Sequence, residues 1–137
     1  AKFVSTSGGQ VFVNYGYETS TARGWIIYIS SGVLRIAQST DGSTNYDQSL
    51  GSVSLDTTNW FHFAFVRNSS TVTAYLNGTA TGTTATAYNI STPNGSFRVG
   101  SDGTNSFNGY IDDLRITKGL ARYTANFTPP TAPFPLQ

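Results

Sequence analysis

The chain contains no cysteine and no methionine. Without thiols, neither a disulfide nor a thiolate zinc site can hold the fold together. There is a single histidine, His62, so a histidine cluster for metal is excluded as well. Charged residues make up only 11% of the sequence, well under the roughly 25% of an ordinary soluble domain. The eight Lys and Arg are scattered singly. Nucleic acid is held by clustered cations that release counterions, so it is excluded as a partner. No apolar run approaches the ~20 residues of a membrane-spanning helix. No period of 20–50 residues recurs, which rules out solenoids and propellers.

What remains is rich in Ser, Thr, Asn, Gly and aromatic residues, over 137 positions. That length suffices for one core and is short for two ordinary domains. The polar residues favour turns and exposed strands over helices. Apolar side chains recur mostly at every second position, the strand signal. Strands are predicted over residues 10–15, 25–29, 33–37, 50–55, 60–67, 71–76, 97–100 and 109–117. Turns fall at Ser30-Ser31-Gly32, at Asp41-Gly42 within a polar loop 40–47, at Asn68-Ser69-Ser70 and at Asn77-Gly78. Residues 60–67, Trp-Phe-His-Phe-Ala-Phe-Val-Arg, are apolar on both alternating faces, which predicts a central strand covered twice. Trp25 and Trp60 are expected in the core. Residues 118–122 have room for about one helical turn. The tail 127–137 contains Pro129-Pro130, Pro133 and Pro135, so it is expected as an extended strap or linker after a domain of residues 1–126. Short strands with polar turns predict an all-β, two-sheet antiparallel sandwich.

Catalytic chemistry finds little support. The acids are Glu18, Asp41, Asp47, Asp56, Asp102, Asp112 and Asp113. Glycoside hydrolysis needs two carboxylates about 5–9 Å apart. Only Asp112 and Asp113 are adjacent, and an extended strand points them to opposite faces. His62 has no nucleophile and orienting acid beside it in a recognisable pattern. The chain is therefore expected not to be an enzyme and to require no cofactor. A sugar site needs an aromatic platform flanked by amides or carboxylates. Tyr15, Tyr17, Tyr46 and Tyr88 sit at strand ends or in loops, and Tyr17 and Tyr46, with Asn45, are the candidate ligand-binding residues.

From Trp60 onward the wording is recognisable. Trp60-x-His62-x-Ala64-x-Val66, Tyr75-x-Asn77-Gly78, Val99-Gly100, Phe107-x-Gly109-x-Ile111-Asp112-Asp113-Leu114-Arg115-Ile116 and Leu120 resemble the laminin-G-like, concanavalin A-like jelly-roll superfamily. Gly24-Trp25 and Gly32-x-Leu34 fit the same pattern. The stretch 112–130 is similar to copies found in bacteriophage virion proteins and bacterial surface proteins. The resemblance implies a jelly-roll sandwich acting as a structural or adhesive surface module, such as a phage capsid decoration, fibre or tail component. A carbohydrate-binding module of a bacterial surface or secreted protein is the alternative. It implies a virion or extracellular surface location. The partners expected are neighbouring subunits in a homo-oligomer, other surface proteins, or glycans. Domains of this kind often hold calcium on rim loops, which makes Asp102 and Asn105 candidate Ca²⁺ ligands. In such domains further strands precede the segment matched by Ala1-Lys2-Phe3-Val4. The uncovered edge is therefore expected to be closed by a longer polypeptide or a neighbouring subunit.

Overall fold

The computed structural model describes residues 1–17, 22–92 and 94–134; Glu18 and Pro135 lie outside them. Among the described residues there are ten strands and no helix: β1 (Lys2–Phe3), β2 (Gly9–Tyr15), β3 (Trp25–Ser30), β4 (Val33–Gln38), β5 (Tyr46–Ser52), β6 (Phe63–Asn68), β7 (Thr71–Leu76), β8 (Thr79–Thr86), β9 (Phe97–Val99) and β10 (Gly109–Tyr110). One sheet has the order β5-β4-β3-β2-β9, a second β6-β7-β8, and β1 pairs with β10 alone. All pairings are antiparallel. The predicted all-β sandwich is what the chain forms.

The core lies between the two larger sheets. Phe12, Val13, Ile27, Ile29, Leu34, Ile36 and Leu50 meet Val72, Ala74 and Ala85, with Phe3 inserted at one end. Burying each larger aliphatic or aromatic side chain contributes roughly 1.5–3 kcal/mol. A shift of register in β2 between Val11 and Val13 lets Phe12 and Val13 both reach this core. Val11 then joins Ile26 and Ala37 in a second buried cluster, outside the main core. That break in alternation creates an apolar floor on the outward face of the five-stranded sheet.

Two hairpins follow the turn chemistry, one at Ser31-Gly32, with φ of 50° and 73°, and one at Asn77-Gly78. Asn77 and Gly78 have φ of 49° and 81°, the pair of positive values that suits a two-residue hairpin. At Gly78 the requirement is doubled, because a Cβ there would lie 1.8 Å from the Phe127 carbonyl oxygen. The C-terminal strap crosses at that point: the Phe127 N–H donates to the Gly78 carbonyl at 2.9 Å. Phe127 stacks on Tyr123 at 3.6 Å between ring centres and meets Tyr75 and His62 edge-on. This segment thus packs over Tyr75 of β7 and over His62.

Several expectations change: β5 runs over residues 46–52 rather than 50–55, and residues 118–122 form no helical turn. Residues 60–67 are neither wholly strand nor central: β6 starts at Phe63 and lies at the edge of its sheet. His62, just before it, packs edge-on to Phe127. Trp60 is 53% exposed, because alternation gives the inward positions to Phe61, Phe63 and Phe65; Trp25 does pack against the core. The last strand stops at Tyr110. Asp113 has a φ of 54°, which interrupts extended backbone, and residues 111–117 join no ladder. Strand β8 was not foreseen. Its Thr-Ala-Thr-Gly-Thr-Thr-Ala-Thr sequence carries too little apolar alternation to signal a strand.

Candidate functional site

The outward face of the five-stranded sheet holds a pocket of about 200 Å³. Val11, Ile26 and Ala37 make its floor, contributed by β2, β3 and β4. Tyr17 and Tyr28 form walls, and Asn45, Asp102 and Asn105 stand at the rim. Four of the five site candidates from sequence, Tyr17, Asn45, Asp102 and Asn105, therefore line one cavity. They come from three separate loops. The fifth, Tyr46, does not line it; its ring stacks on Tyr88 at 4.2 Å and 23°. Tyr28 and the floor were not singled out beforehand. The available signal was the alternation of β3, which sends Ile27 and Ile29 inward and so Ile26 and Tyr28 outward.

Each wall residue is held in place. The Tyr17 N–H donates to Asn14 Oδ1 at 2.8 Å, and the Tyr17 hydroxyl donates to Asn45 Oδ1. The Arg23 guanidinium lies 5.5 Å from the Tyr17 ring centre, within cation–π range. Burial pushes the Tyr17 phenol up to about 12, with Arg23 opposing. The Tyr28 hydroxyl donates to Asp47 Oδ2 at 2.9 Å and accepts from Arg35 Nε at 3.1 Å. Its phenol is also raised, by burial first and then by the Asp47 bond. Both phenols consequently keep their protons at physiological pH. Arg35 and Asp47 close this group with a 2.9 Å ion pair.

On the opposite rim, Asp102 accepts from the backbone N–H groups of Thr104 and Asn105 at 2.9 and 2.6 Å, and from Asn105 Nδ2 at 3.0 Å. Burial raises its carboxyl, but these bonds outweigh burial and hold it below the usual carboxylate range. The loop is thus an Asx turn with a fixed negative charge at the pocket mouth. Calcium takes six to eight oxygens at about 2.3–2.6 Å. Asp102 and Asn105 supply one carboxylate and one amide, and they are bonded to each other. No group of three or more His, Cys, Asp or Glu gathers among the described residues. This donor set does not fit a calcium ion.

The other described acids serve their own neighbourhoods. Asp41 accepts from the Ser43 and Thr44 N–H groups, and Asp56 from those of Thr58 and Asn59; their carboxyls are held far below the usual range, led by the Thr44 hydroxyl and the Asn59 amide respectively. Asp113 accepts from the Phe134 N–H at 3.1 Å. His62, just before β6 in the sheet across the core from the pocket, packs edge-on to Phe127. The pocket can bind: it offers aromatic faces, an apolar floor and polar acceptors, and among its described lining residues Asp102 is the one carboxylate.

The fold matches a family model. The model for the concanavalin A-like lectin/glucanases superfamily covers residues 2–121. No curated protein and no solved structure matches the chain.

Proposed function

The chain belongs to the concanavalin A-like lectin/glucanases superfamily, and from that premise we propose that it is a non-catalytic carbohydrate-binding module whose site is the Tyr17–Tyr28 pocket. One observation carries the reading: two tyrosine walls over an apolar floor, with Asn45, Asp102 and Asn105 at the rim. A sugar ring has apolar C–H faces and hydroxyls around its edge. The faces pack against aromatic rings, and the hydroxyls donate to amide and carboxylate oxygens, most strongly to the charged Asp102. At about 200 Å³ the pocket is smaller than the roughly 300–1,000 Å³ of drug-sized sites. It therefore takes a single sugar residue of a longer glycan. Binding requires no calcium.

Glycan-array screening followed by titration calorimetry tests this. Tyr17→Ala is expected to weaken binding at least about tenfold, the equivalent of one lost stacking contact. Tyr46→Ala, outside the pocket, is expected to leave affinity unchanged, as is EDTA. Absence of any glycan ligand, or equal losses for the two tyrosine variants, would sink the reading.

We place the module on a virion or extracellular surface, within a homo-oligomer or larger assembly. The support is the resemblance of residues 112–130 to phage virion and bacterial surface proteins, together with exposed Val4, Trp60, Tyr110, Leu114 and Ile116, apolar side chains that a partner surface would cover. Sedimentation at micromolar concentration is expected to show a species heavier than the single chain. A strictly monomeric chain up to the solubility limit would remove the assembly from this reading.

A further inference from the structure

The floor and the rim of the Tyr17–Tyr28 pocket differ in chemistry. Every floor residue is aliphatic: Val11 from β2, Ile26 from β3 and Ala37 from β4. They are only 2%, 4% and 2% exposed, so the opening above them is narrow. It has the width of a methyl group and not of a sugar ring. The three floor strands are interior strands of their sheet, so their backbone groups run along the ladders rather than up into the pocket. The walls bring no free proton down to this depth. The Tyr17 hydroxyl proton is committed to Asn45 Oδ1. The Tyr28 hydroxyl donates to Asp47 and accepts from Arg35. The polar lining residues Asn45, Asp102 and Asn105 all stand at the rim.

This division sorts sugars. A hydroxyl pushed to the floor loses its water and meets no partner there, which is costly. A methyl group in the same place gives up no hydrogen bond and buries apolar surface. The residue that fits best turns a methyl group downward and keeps its hydroxyls at the rim, where amide and carboxylate oxygens accept them. Two classes of neutral sugar carry such a group at the edge of the ring. In 6-deoxyhexoses it sits on the ring itself, and in N-acetylhexosamines it ends the acetamido arm. Asp102 is the one charged residue of the lining, and a carboxylate at the mouth disfavours an acidic sugar through like-charge repulsion.

We propose that the pocket selects a neutral, methyl-bearing sugar residue, seated with its methyl group on Val11, Ile26 and Ala37 and its ring at the mouth. This rests on the carbohydrate-binding reading of the same pocket and adds the class of ligand. Ala37 is then a specificity-determining residue. Its side chain is the smallest of the three floor side chains, and the room it leaves is where the methyl group sits.

The test is an NMR titration of the 137-residue chain, following the methyl signals of Val11, Ile26 and Ala37. The ligands are free sugars in matched pairs: 6-deoxyhexoses and N-acetylhexosamines of the glucose, galactose and mannose series, each against its parent hexose. In at least one pair the methyl-bearing sugar is expected to bind at least about tenfold tighter than its parent, the scale on which an apolar pocket discriminates against an added hydroxyl. The same sugar is expected to shift the three floor signals, and the pair that does so names the source of the methyl group. Ala37→Val fills the floor with a side chain that suits a strand. It is expected to bring the preferred sugar down to the affinity of its parent. The wild-type pairs decide the matter even where that variant folds poorly. The proposal is overturned if sugars bind in a Tyr17-dependent way but every parent binds as tightly as its methyl-bearing partner. It is also overturned if the preferred sugar leaves the floor signals unmoved, or if a folded Ala37→Val keeps the preference. Absence of binding by every sugar sinks the carbohydrate reading itself and this proposal with it.

Discussion

The two edges of the three-stranded sheet are built in opposite ways. On the β8 side, the edge is stitched to the neighbouring sheet. Gln48 forms a side-chain rung with the Thr86 backbone, accepting its N–H at 2.8 Å and donating to its carbonyl at 3.0 Å. Gln38 adds a second bond to the same carbonyl at 2.9 Å and accepts the Tyr88 N–H. The Thr81 hydroxyl donates to the Leu50 carbonyl. Gly51, at a φ of 113°, lets β5 come so close that a Cβ would meet the Thr81 carbonyl oxygen at 2.4 Å. Strand β8 is polar and its register with β7 is broken. On the β6 side, among the described residues the stitch is one backbone rung between Phe61 and Ala1, and the strand is regular and aromatic. The difference teaches how the two edges are held: the backbone groups of the β8 edge have side-chain partners from another sheet, whereas the rung seen at the β6 edge is backbone to backbone, between Phe61 and Ala1.

Truncating an apolar side chain on each side gives the sharpest contrast. Leu50, at the seam, is fully buried, and Leu50→Ala is expected to cost about 4 kcal/mol, transfer plus cavity. Phe65, in β6, is larger but half-buried, and Phe65→Ala is expected to cost about 2 kcal/mol or less, below the usual range for a buried phenylalanine. Urea denaturation of both variants decides it; a larger loss for Phe65→Ala would mean that Phe65 is the more enclosed of the two. Next in size, Gly51→Val forces a β-branched side chain into positive φ against backbone, and the strain and overpacking together are expected to cost about 3 kcal/mol. A neutral Gly51→Val would show that β5 and β8 do not approach closely. Gln48→Ala removes the side-chain rung. It is expected to lower stability by about 1 kcal/mol and to speed exchange of the Thr86 amide, with β6 amides unaffected.

Much of the framework was legible because it is local. Alternation placed β3, β4 and β7 within a residue of their ends, and Asn77-Gly78 announced its own turn. What was not legible depends on contacts distant in the chain. Strand β8 is held by Gln48 and Thr81 bonds rather than by apolar alternation, so its threonines gave no signal. Trp60 is apolar but on the outward parity of its segment, and parity cannot be read until it is known which aromatic of Trp-Phe-His-Phe faces the core. The site was half-legible. Loop tyrosines and turn acids were picked out as two separate ligand sets. Only the pairing of β9 beside β2 brings the 101–106 loop to the Tyr17 side of the sheet, and no spacing in the sequence encodes that neighbour relation.

The smallest expected effect lies beside the β6 edge. Burial lowers the His62 imidazole, with the Ala1 ammonium and Arg115 adding to the shift and Asp113 opposing it. Its Nδ1 is buried without a partner. In the unfolded chain an imidazole titrates near 6.5. The unfolded state therefore binds the proton first as pH falls, and stability drops from about pH 6.5 down to the lower folded value, then levels off. Asp41, Asp56 and Asp102 are held below the usual carboxylate range, so their titration lies in a more acid window. His62→Gln is expected to flatten the urea midpoint between pH 7 and about 5 while leaving the more acid fall intact. Gln48→Ala, on the β8 edge, is expected to keep the wild-type slope. An unchanged slope in His62→Gln would place the pH sensitivity elsewhere and separate it from the β6 edge.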